Sequence, residues 1–126
     1  MSENTLFTGG TIVLLDTPLP GYYGIHRFRA LLESGSLGVS YHGTEELWIC
    51  ALNRMGNRLR IFHVDEFGYS LTTRILYTGS FVMALKEASA GKITLTREQL
   101  RRLCIDGTLR GPYANPYVAK HEREVA

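Results

Sequence analysis

Three strand-like segments that follow one another across short turns constrain the fold of this chain more than any other feature. Leu47–Leu52 is a continuous apolar run, which is typical of a strand covered on both faces. Residues 58–64 and 69–76 are the next two predicted strands, and Asp-Glu-Phe-Gly at residues 65–68 forms the turn between them. Because such short connections join antiparallel neighbours, the sequence predicts a three-stranded antiparallel meander.

One further strand and two helices are predicted around this meander. Thr11–Leu15 is β-branched and apolar, as expected for an N-terminal core strand. Apolar residues recur at helical spacing within Tyr23–Glu33, so this segment is predicted to be a helix. Thr96 and Gln99 have the spacing of a capping box at the start of a second helix, and Gly107 is suited to end it.

These elements predict an α+β fold, in which a mostly antiparallel sheet carries two packed helices. We expect one domain over residues 1–110 and an irregular charged tail over residues 111–126. A short additional strand is predicted at Phe81–Leu85. Four aromatic residues that lie in apolar patterns are expected in the core, namely Phe28, Trp48, Phe62 and Phe81.

The sequence contains no segment that predicts a membrane or secretory protein. Its longest apolar run, Ile12–Leu15, is far too short for a membrane span. Residues 1–5 lack the basic region and following apolar stretch of a secretory signal. We therefore expect a cytoplasmic protein with no membrane partner, in which Cys50 and Cys104 are buried thiols rather than a disulfide.

Residue types that usually perform catalysis are present but scattered. The four histidines and two cysteines include no i,i+4 histidine pair and no Cys-x-x-Cys, so no metal site and no cofactor are expected. No serine near His42 lies in a Gly-x-Ser-x-Gly elbow. The pairs Glu45-Glu46 and Asp65-Glu66 would point to opposite faces of a strand, and we interpret them as solvated loop charges. A binding protein is therefore predicted rather than an enzyme.

Positive charge is concentrated in the second part of the chain. The net charge is +2, with two arginines against five acidic residues in residues 1–47 and twelve basic against seven acidic residues in residues 48–126. This balance permits a nucleic-acid partner without requiring one. The candidate nucleic-acid-binding residues are six arginines of the predicted meander and last helix: Arg54, Arg58, Arg60, Arg74, Arg101 and Arg102.

The spacing of these arginines suggests how they would act. Arg58 and Arg60 would share one face of a strand, with Arg74 on the neighbouring strand. A guanidinium group can bind two phosphate oxygens or a guanine edge at once. The alternative is that the arginines only keep an exposed sheet face soluble.

The order of these motifs resembles that of the small accessory protein of insertion sequences of the IS-sixty-six type. That protein is the second-reading-frame product often called TnpB, and is distinct from the RNA-guided nuclease of the same label. The resemblance covers residues 9–110. Its matching positions are Gly9–Leu15, Gly24–Leu32, Arg54, Gly56, Arg60, Asp65, Gly68, Arg74, Leu76, Gly79, Phe81, Leu95–Leu100 and Gly107.

The resemblance implies a bacterial, non-enzymatic accessory protein of a mobile genetic element. Such a protein would bind DNA or a transposase-type protein through a basic strand face. Several positions that are basic in the family are neutral here: Met55, Ile75, Thr78 and Ser80. Because each lost phosphate contact weakens DNA binding, the alternative hypothesis is a phage- or plasmid-borne regulator or inhibitor that binds protein on the same scaffold.

Overall fold

A computed structural model describes residues 10–115, 117, 118 and 120. The N-terminal residues used to exclude a secretory signal, and part of the predicted tail, lie outside this description. Within it, the elements in chain order are β1 (Thr11–Leu14), α1 (Ile25–Glu33), β2 (Leu47–Leu52), β3 (Leu59–Val64), β4 (Tyr69–Arg74), α2 (Val82–Ala88), β5 (Ile93–Leu95) and α3 (Arg97–Asp106).

The strands form one mixed sheet in the order β4-β3-β2-β1-β5. The predicted meander of β2, β3 and β4 is confirmed, with both of its pairings antiparallel. β1 instead lies parallel to β2, with Thr11 opposite Leu47. The connection between them contains α1, and a crossover of this length is what a parallel pairing requires. Within the described residues the sheet therefore has five strands and is mixed, whereas the fold class expected was a meander with one N-terminal strand.

A third helix, α2, occupies the position of the short strand predicted at Phe81–Leu85, so that prediction was wrong. Phe81, Ala84 and Ala88 recur at three and four residues, and all three are buried. This is the spacing of a helix face rather than the alternation of a strand. The strand that the sequence did not predict is β5, which pairs antiparallel with β1. It is too short to show the alternating pattern of a strand.

Helices cover both faces of the sheet, and each face has its own apolar core. On one face Phe28 and Leu32 of α1 pack with Phe62 and Ile49. The other face is covered by α2 and α3 and includes Cys50 among its buried residues. Adjacent residues of β2 thus face different cores, which explains why its sequence is a continuous apolar run.

The start and end of α3 are confirmed. The Thr96 hydroxyl accepts a hydrogen bond from the Gln99 amide at 3.1 Å, and the Gln99 side chain accepts one from the Thr96 amide at 3.0 Å. Gly107 ends the helix with a left-handed backbone conformation. After it, residues 110–115 form no helix or strand, while Tyr117, Val118 and Lys120 are helical.

Candidate functional site

The two ends of the sheet differ in chemistry. We call one the basic end; it is formed by residues 15–23 after β1, residues 53–58 between β2 and β3, and residues 75–83 after β4. The opposite, acidic end is formed by residues 42–46 before β2 and residues 65–68 between β3 and β4. The antiparallel register of the meander brings the segments of each end together.

Main-chain hydrogen bonds join the three segments of the basic end. The Leu19 amide donates to the Leu52 carbonyl at 3.0 Å, and the Phe81 amide donates to the Gly56 carbonyl at 2.7 Å. Gly56 has a positive φ of 70°, and a Cβ atom there would lie 2.9 Å from the Val82 side chain. Glycine is therefore required where the β2–β3 turn meets the start of α2.

Arg60 is buried, so the expectation of an exposed strand arginine at this position is wrong. Its side chain lies on the α1 face, and only 7% of the residue is exposed. The guanidinium group donates to the carbonyls of Gly21 and Tyr23, both at 2.6 Å, and lies 5.6 Å from the centre of the Phe28 ring. Burial, and then the nearby charge of Arg58, lower the pKa of Arg60. An arginine remains protonated in such a site, so its charge anchors the segment before α1.

Arg74 lies on the opposite face of the sheet from Arg60. It pairs with Leu59 at the end of β4, and its Nε donates to the Cys104 carbonyl of α3 at 2.7 Å. The register that the sequence left open therefore separates these two arginines. A single basic strand face containing both is not formed.

On α3, Arg102 is bonded to the segment that follows its own helix. Arg102 donates from Nε to the Thr108 hydroxyl at 2.9 Å, and its guanidinium lies 4.2 Å from the centre of the Tyr113 ring. It also donates to the Gly111 carbonyl. These contacts hold the segment after α3 against the helix. Arg101 is exposed on the same helix.

Arg54 and Arg58 are the two predicted site residues within the segments of the basic end, and both are exposed. Both lie in the β2–β3 turn, which the side chain of Asn53 shapes by accepting hydrogen bonds from the amides of Asn57 and Arg58 at 3.0 Å. The Arg58 stem passes beside Gly21. The turn thus presents two guanidinium groups to solvent beside the segment that Arg60 anchors.

Exposed apolar side chains are concentrated at the same end. The described residues include eight large hydrophobic side chains that are exposed, and Phe67 at the acidic end is one of them. The other seven lie on the segments of the basic end or on the C-terminal segment beside it: Tyr22, Met55, Ile75, Tyr77, Val82, Met83 and Tyr117. An uneven distribution of this kind is typical of an interaction surface.

A cleft of about 470 Å³ lies among these residues, lined by Ile75, Tyr77, Ile105 and Tyr117, with Arg74 also at its wall. A cleft of this size accommodates a small ligand or a few side chains of a partner. Among the described residues its lining is mixed, because Thr78 and Asn115 add polar groups to the apolar and aromatic side chains and Arg74 adds one positive charge. Such a mixture of apolar, polar and charged groups can contact a partner side chain of either character.

The cysteines are not activated for covalent chemistry. Cys50 is buried and Cys104 is half-buried, and both are free thiols. Burial raises the pKa of the Cys50 thiol. It also raises the pKa of the Cys104 thiol, which is less buried. A nucleophilic cysteine requires a lowered pKa, so neither thiol has the environment of a catalytic residue.

The acidic end contains a cluster that sequence reasoning missed. Glu46 Oε2 lies 2.7 Å from His63 Nε2, and these side chains are only 16% and 21% exposed. The His63 ring stacks on Trp48 with 3.7 Å between ring centres. Ligand atoms of Glu46, His63 and Asp65 all lie within 4.8 Å of one another. The interpretation of Glu46 as a solvated loop charge is therefore wrong.

Strand register, and not sequence spacing, assembles this cluster. His63 is directly opposite Trp48, and Leu47 is opposite Val64. Continuing that register places Glu46 opposite Asp65, on the same side of the sheet as His63 because side chains alternate along a strand. The i,i+2 spacing of His63 and Asp65 was visible in the sequence, but the pairing with Glu46 was not.

A second histidine–carboxylate pair lies nearby but is more exposed. His42 Nδ1 is 2.7 Å from Glu45 Oε2, and 79% of the His42 side chain is exposed. The main-chain amide of His42 donates to Glu45, and this hydrogen bond is the main cause that lowers the pKa of Glu45 to about 2. This pair offers a natural control for the cluster around His63.

The chain matches no protein-family model, no curated protein and no solved structure. The resemblance to insertion-sequence accessory proteins therefore rests on motif order alone. Among the described helices, none has the length and apolar character needed to cross a membrane.

Proposed function

We propose that this protein is a non-enzymatic binding protein that docks on another protein through its basic end, as an adaptor or regulator. The concentration of exposed apolar and aromatic side chains at that end carries the proposal. Protein interfaces have a desolvated apolar centre in which tyrosine, methionine and arginine are enriched. The exposed residues of the basic end have this composition.

The positions of Arg54 and Arg58 indicate the chemistry of the partner. Both are exposed in the turn that also carries Met55, so cations border the apolar residues. Complementary charge across an interface speeds association and selects among partners. The partner surface that fits best is therefore an apolar centre bordered by carboxylates, with a side chain that enters the cleft beside Tyr77.

The burial of Arg60 weakens the hypothesis of a basic strand face that binds DNA. Its guanidinium is already bonded to the Gly21 and Tyr23 carbonyls, so a phosphate contact would have to replace those bonds. Arg74 lies on the other face. A DNA duplex could not contact both residues across one strand surface.

Nucleic-acid binding stays a second candidate in a different form. Tyr22 and Tyr77 are exposed at the same end as Arg54 and Arg58. Aromatic rings beside cations are the usual platform for single-stranded DNA or RNA, because every base can stack on a ring. A role in a mobile element, with DNA or a transposase-type protein as partner, rests on this observation and on the motif resemblance.

Capture from nuclease-treated lysate of the native host tests the leading proposal. Wild type is compared with Tyr77→Glu and with Phe67→Glu, which changes an exposed aromatic residue at the acidic end. We expect a specific protein to be retained by wild type and Phe67→Glu and lost from Tyr77→Glu. Equal capture by all three proteins would contradict docking at the basic end.

A titration of labelled single-stranded DNA by fluorescence anisotropy, at about 50 and 200 mM salt, separates the two candidates. The protein-binding proposal expects no binding at either concentration. Binding at low salt that is lost in Arg54→Ala/Arg58→Ala, but kept in Arg97→Ala at the start of α3, would establish the second candidate instead.

A further inference from the structure

The cluster at the acidic end has an imbalance of charge that an ion pair does not explain. Glu46 and Asp65 place two carboxylates around one imidazole, with all three ligand atoms within 4.8 Å of one another. The side chains of Glu46 and His63 are largely removed from solvent. Two carboxylates carry more negative charge than one imidazole can balance, and like charges repel more strongly where water is partly excluded.

We propose that Glu46, His63 and Asp65 bind a divalent transition-metal ion. A 2+ ion would balance the two carboxylates and allow the imidazole to be neutral. One imidazole nitrogen with two carboxylate oxygens is a ligand set for Zn²⁺ or Mn²⁺ rather than for Ca²⁺ or Mg²⁺, which prefer oxygen ligands alone. Three protein ligands leave further coordination positions for water or another ligand.

The geometry requires only small movements. Bonds of about 2.0–2.2 Å to a tetrahedral ion place ligand atoms roughly 3.4 Å apart. The Glu46 and His63 atoms lie 2.7 Å apart and would separate slightly, whereas the Asp65 carboxylate would move closer, within the 4.8 Å span of the cluster. Side-chain rotations can supply these shifts, because His63 is held in the β2–β3 register and Glu46 and Asp65 directly adjoin the paired residues Leu47 and Val64.

Neighbouring groups hold two of the ligands in orientation. The His63 ring is stacked on Trp48 at an interplanar angle of 14°. Asp65 Oδ1 accepts hydrogen bonds from the amides of Phe67 at 2.8 Å and Gly68 at 3.0 Å, so the carboxylate is fixed by the turn that follows it. Contacts of this kind orient metal ligands and increase affinity.

Isothermal titration of tag-free, full-length protein with Zn²⁺ tests the proposal. Asp65→Asn removes the carboxylate charge but keeps an Oδ1 acceptor for the turn, and His63→Gln removes the nitrogen ligand. We expect wild type to bind one equivalent of Zn²⁺ and each variant to bind at least tenfold more weakly. His42→Gln, which changes the exposed pair with Glu45, should leave the affinity unchanged.

The melting temperature supplies a second readout. A ligand that binds only the folded state raises it, so Zn²⁺ should stabilise wild type and His42→Gln but not His63→Gln. X-ray absorption of the zinc complex should show nitrogen and oxygen ligands without sulfur. Absence of Zn²⁺ binding, or equal binding by wild type and both cluster variants, would overturn the proposal.

Discussion

The two ends of the sheet differ in how the charged side chains of their candidate sites are held. At the acidic end, the Asp65 carboxylate and the His63 ring are fixed by main-chain amides and by Trp48. At the basic end, Arg54 and Arg58 are exposed, while Arg60 is fixed to two carbonyls of its own chain. A charged side chain that is already hydrogen-bonded within the fold stabilises the structure or forms part of a preorganised site. A charged side chain that is exposed remains available to bind a partner.

Arg60→Ala, in β3 beside the basic end, should have the largest effect on stability. The substitution removes two charged hydrogen bonds to Gly21 and Tyr23, so we expect the free energy of unfolding to fall by roughly 2–5 kcal/mol. Arg54→Ala, at an exposed position, should change it by less than about 0.5 kcal/mol. Urea unfolding measures both, and equal effects would remove the distinction between the buried and the exposed arginine.

The turns at the two ends should differ in their tolerance of a side chain. Gly56→Ala would place a Cβ atom 2.9 Å from Val82 at positive φ, and should cost on the order of 1–3 kcal/mol. In Gly68→Ala the added Cβ atom would have no other atom within 4 Å. The free energy of unfolding should therefore stay within about 0.5 kcal/mol of wild type. Thermal unfolding compares them. A neutral Gly56→Ala would mean that the turn does not pack on α2.

At the acidic end, Asp65→Ala should cost about 1 kcal/mol, because the amides of Phe67 and Gly68 lose their acceptor but remain accessible to water. Asp65→Asn should recover most of that loss. Glu66→Ala changes an exposed neighbour and serves as the control. Chemical denaturation of the three variants measures this, and a loss as large in Asp65→Asn as in Asp65→Ala would exclude the hydrogen-bonded turn as its cause.

The smallest effect expected is the pH dependence from Glu45. The hydrogen bond from the His42 amide lowers its pKa to about 2, whereas an unfolded glutamate titrates near 4.3. A lowered pKa in the folded state stabilises the protein above the unfolded value. That contribution should disappear as the pH falls from about 4.3 to 2.

NMR titration of the His42 amide follows the carboxyl group of Glu45 directly. We expect a midpoint well below pH 4 in wild type and no such transition in Glu45→Gln. A midpoint near 4.3 would show that the hydrogen bond from the His42 amide does not persist in solution.

Local signals in the sequence were sufficient for several elements. The meander strands begin and end within two residues of their predicted positions, and α1 ends at Glu33 as predicted. The capping box of Thr96 and Gln99 is formed as its spacing indicated. Phe28, Phe62 and Phe81 are fully buried as expected, whereas Trp48 is only partly buried and stacks on His63.

The candidate site was harder to predict because its residues are distant in the chain. Arg60 is 39 residues from Gly21, and Glu46 is 17 residues from His63. Neither contact leaves a fixed spacing in the sequence. The arginine pattern therefore indicated a basic strand face, although Arg60 and Arg74 lie on opposite faces.

The amino-acid sequence by itself determined the elements whose signals are local, namely apolar period, short turns and helix caps. Tertiary packing selected the parallel pairing of β1 with β2 and the short strand Ile93–Leu95. The reason is that strand direction and register depend on burial across the whole sheet. A shift of one residue in the register of a strand moves all of its side chains to the other face. The same register decided which charges were bonded and which remained exposed.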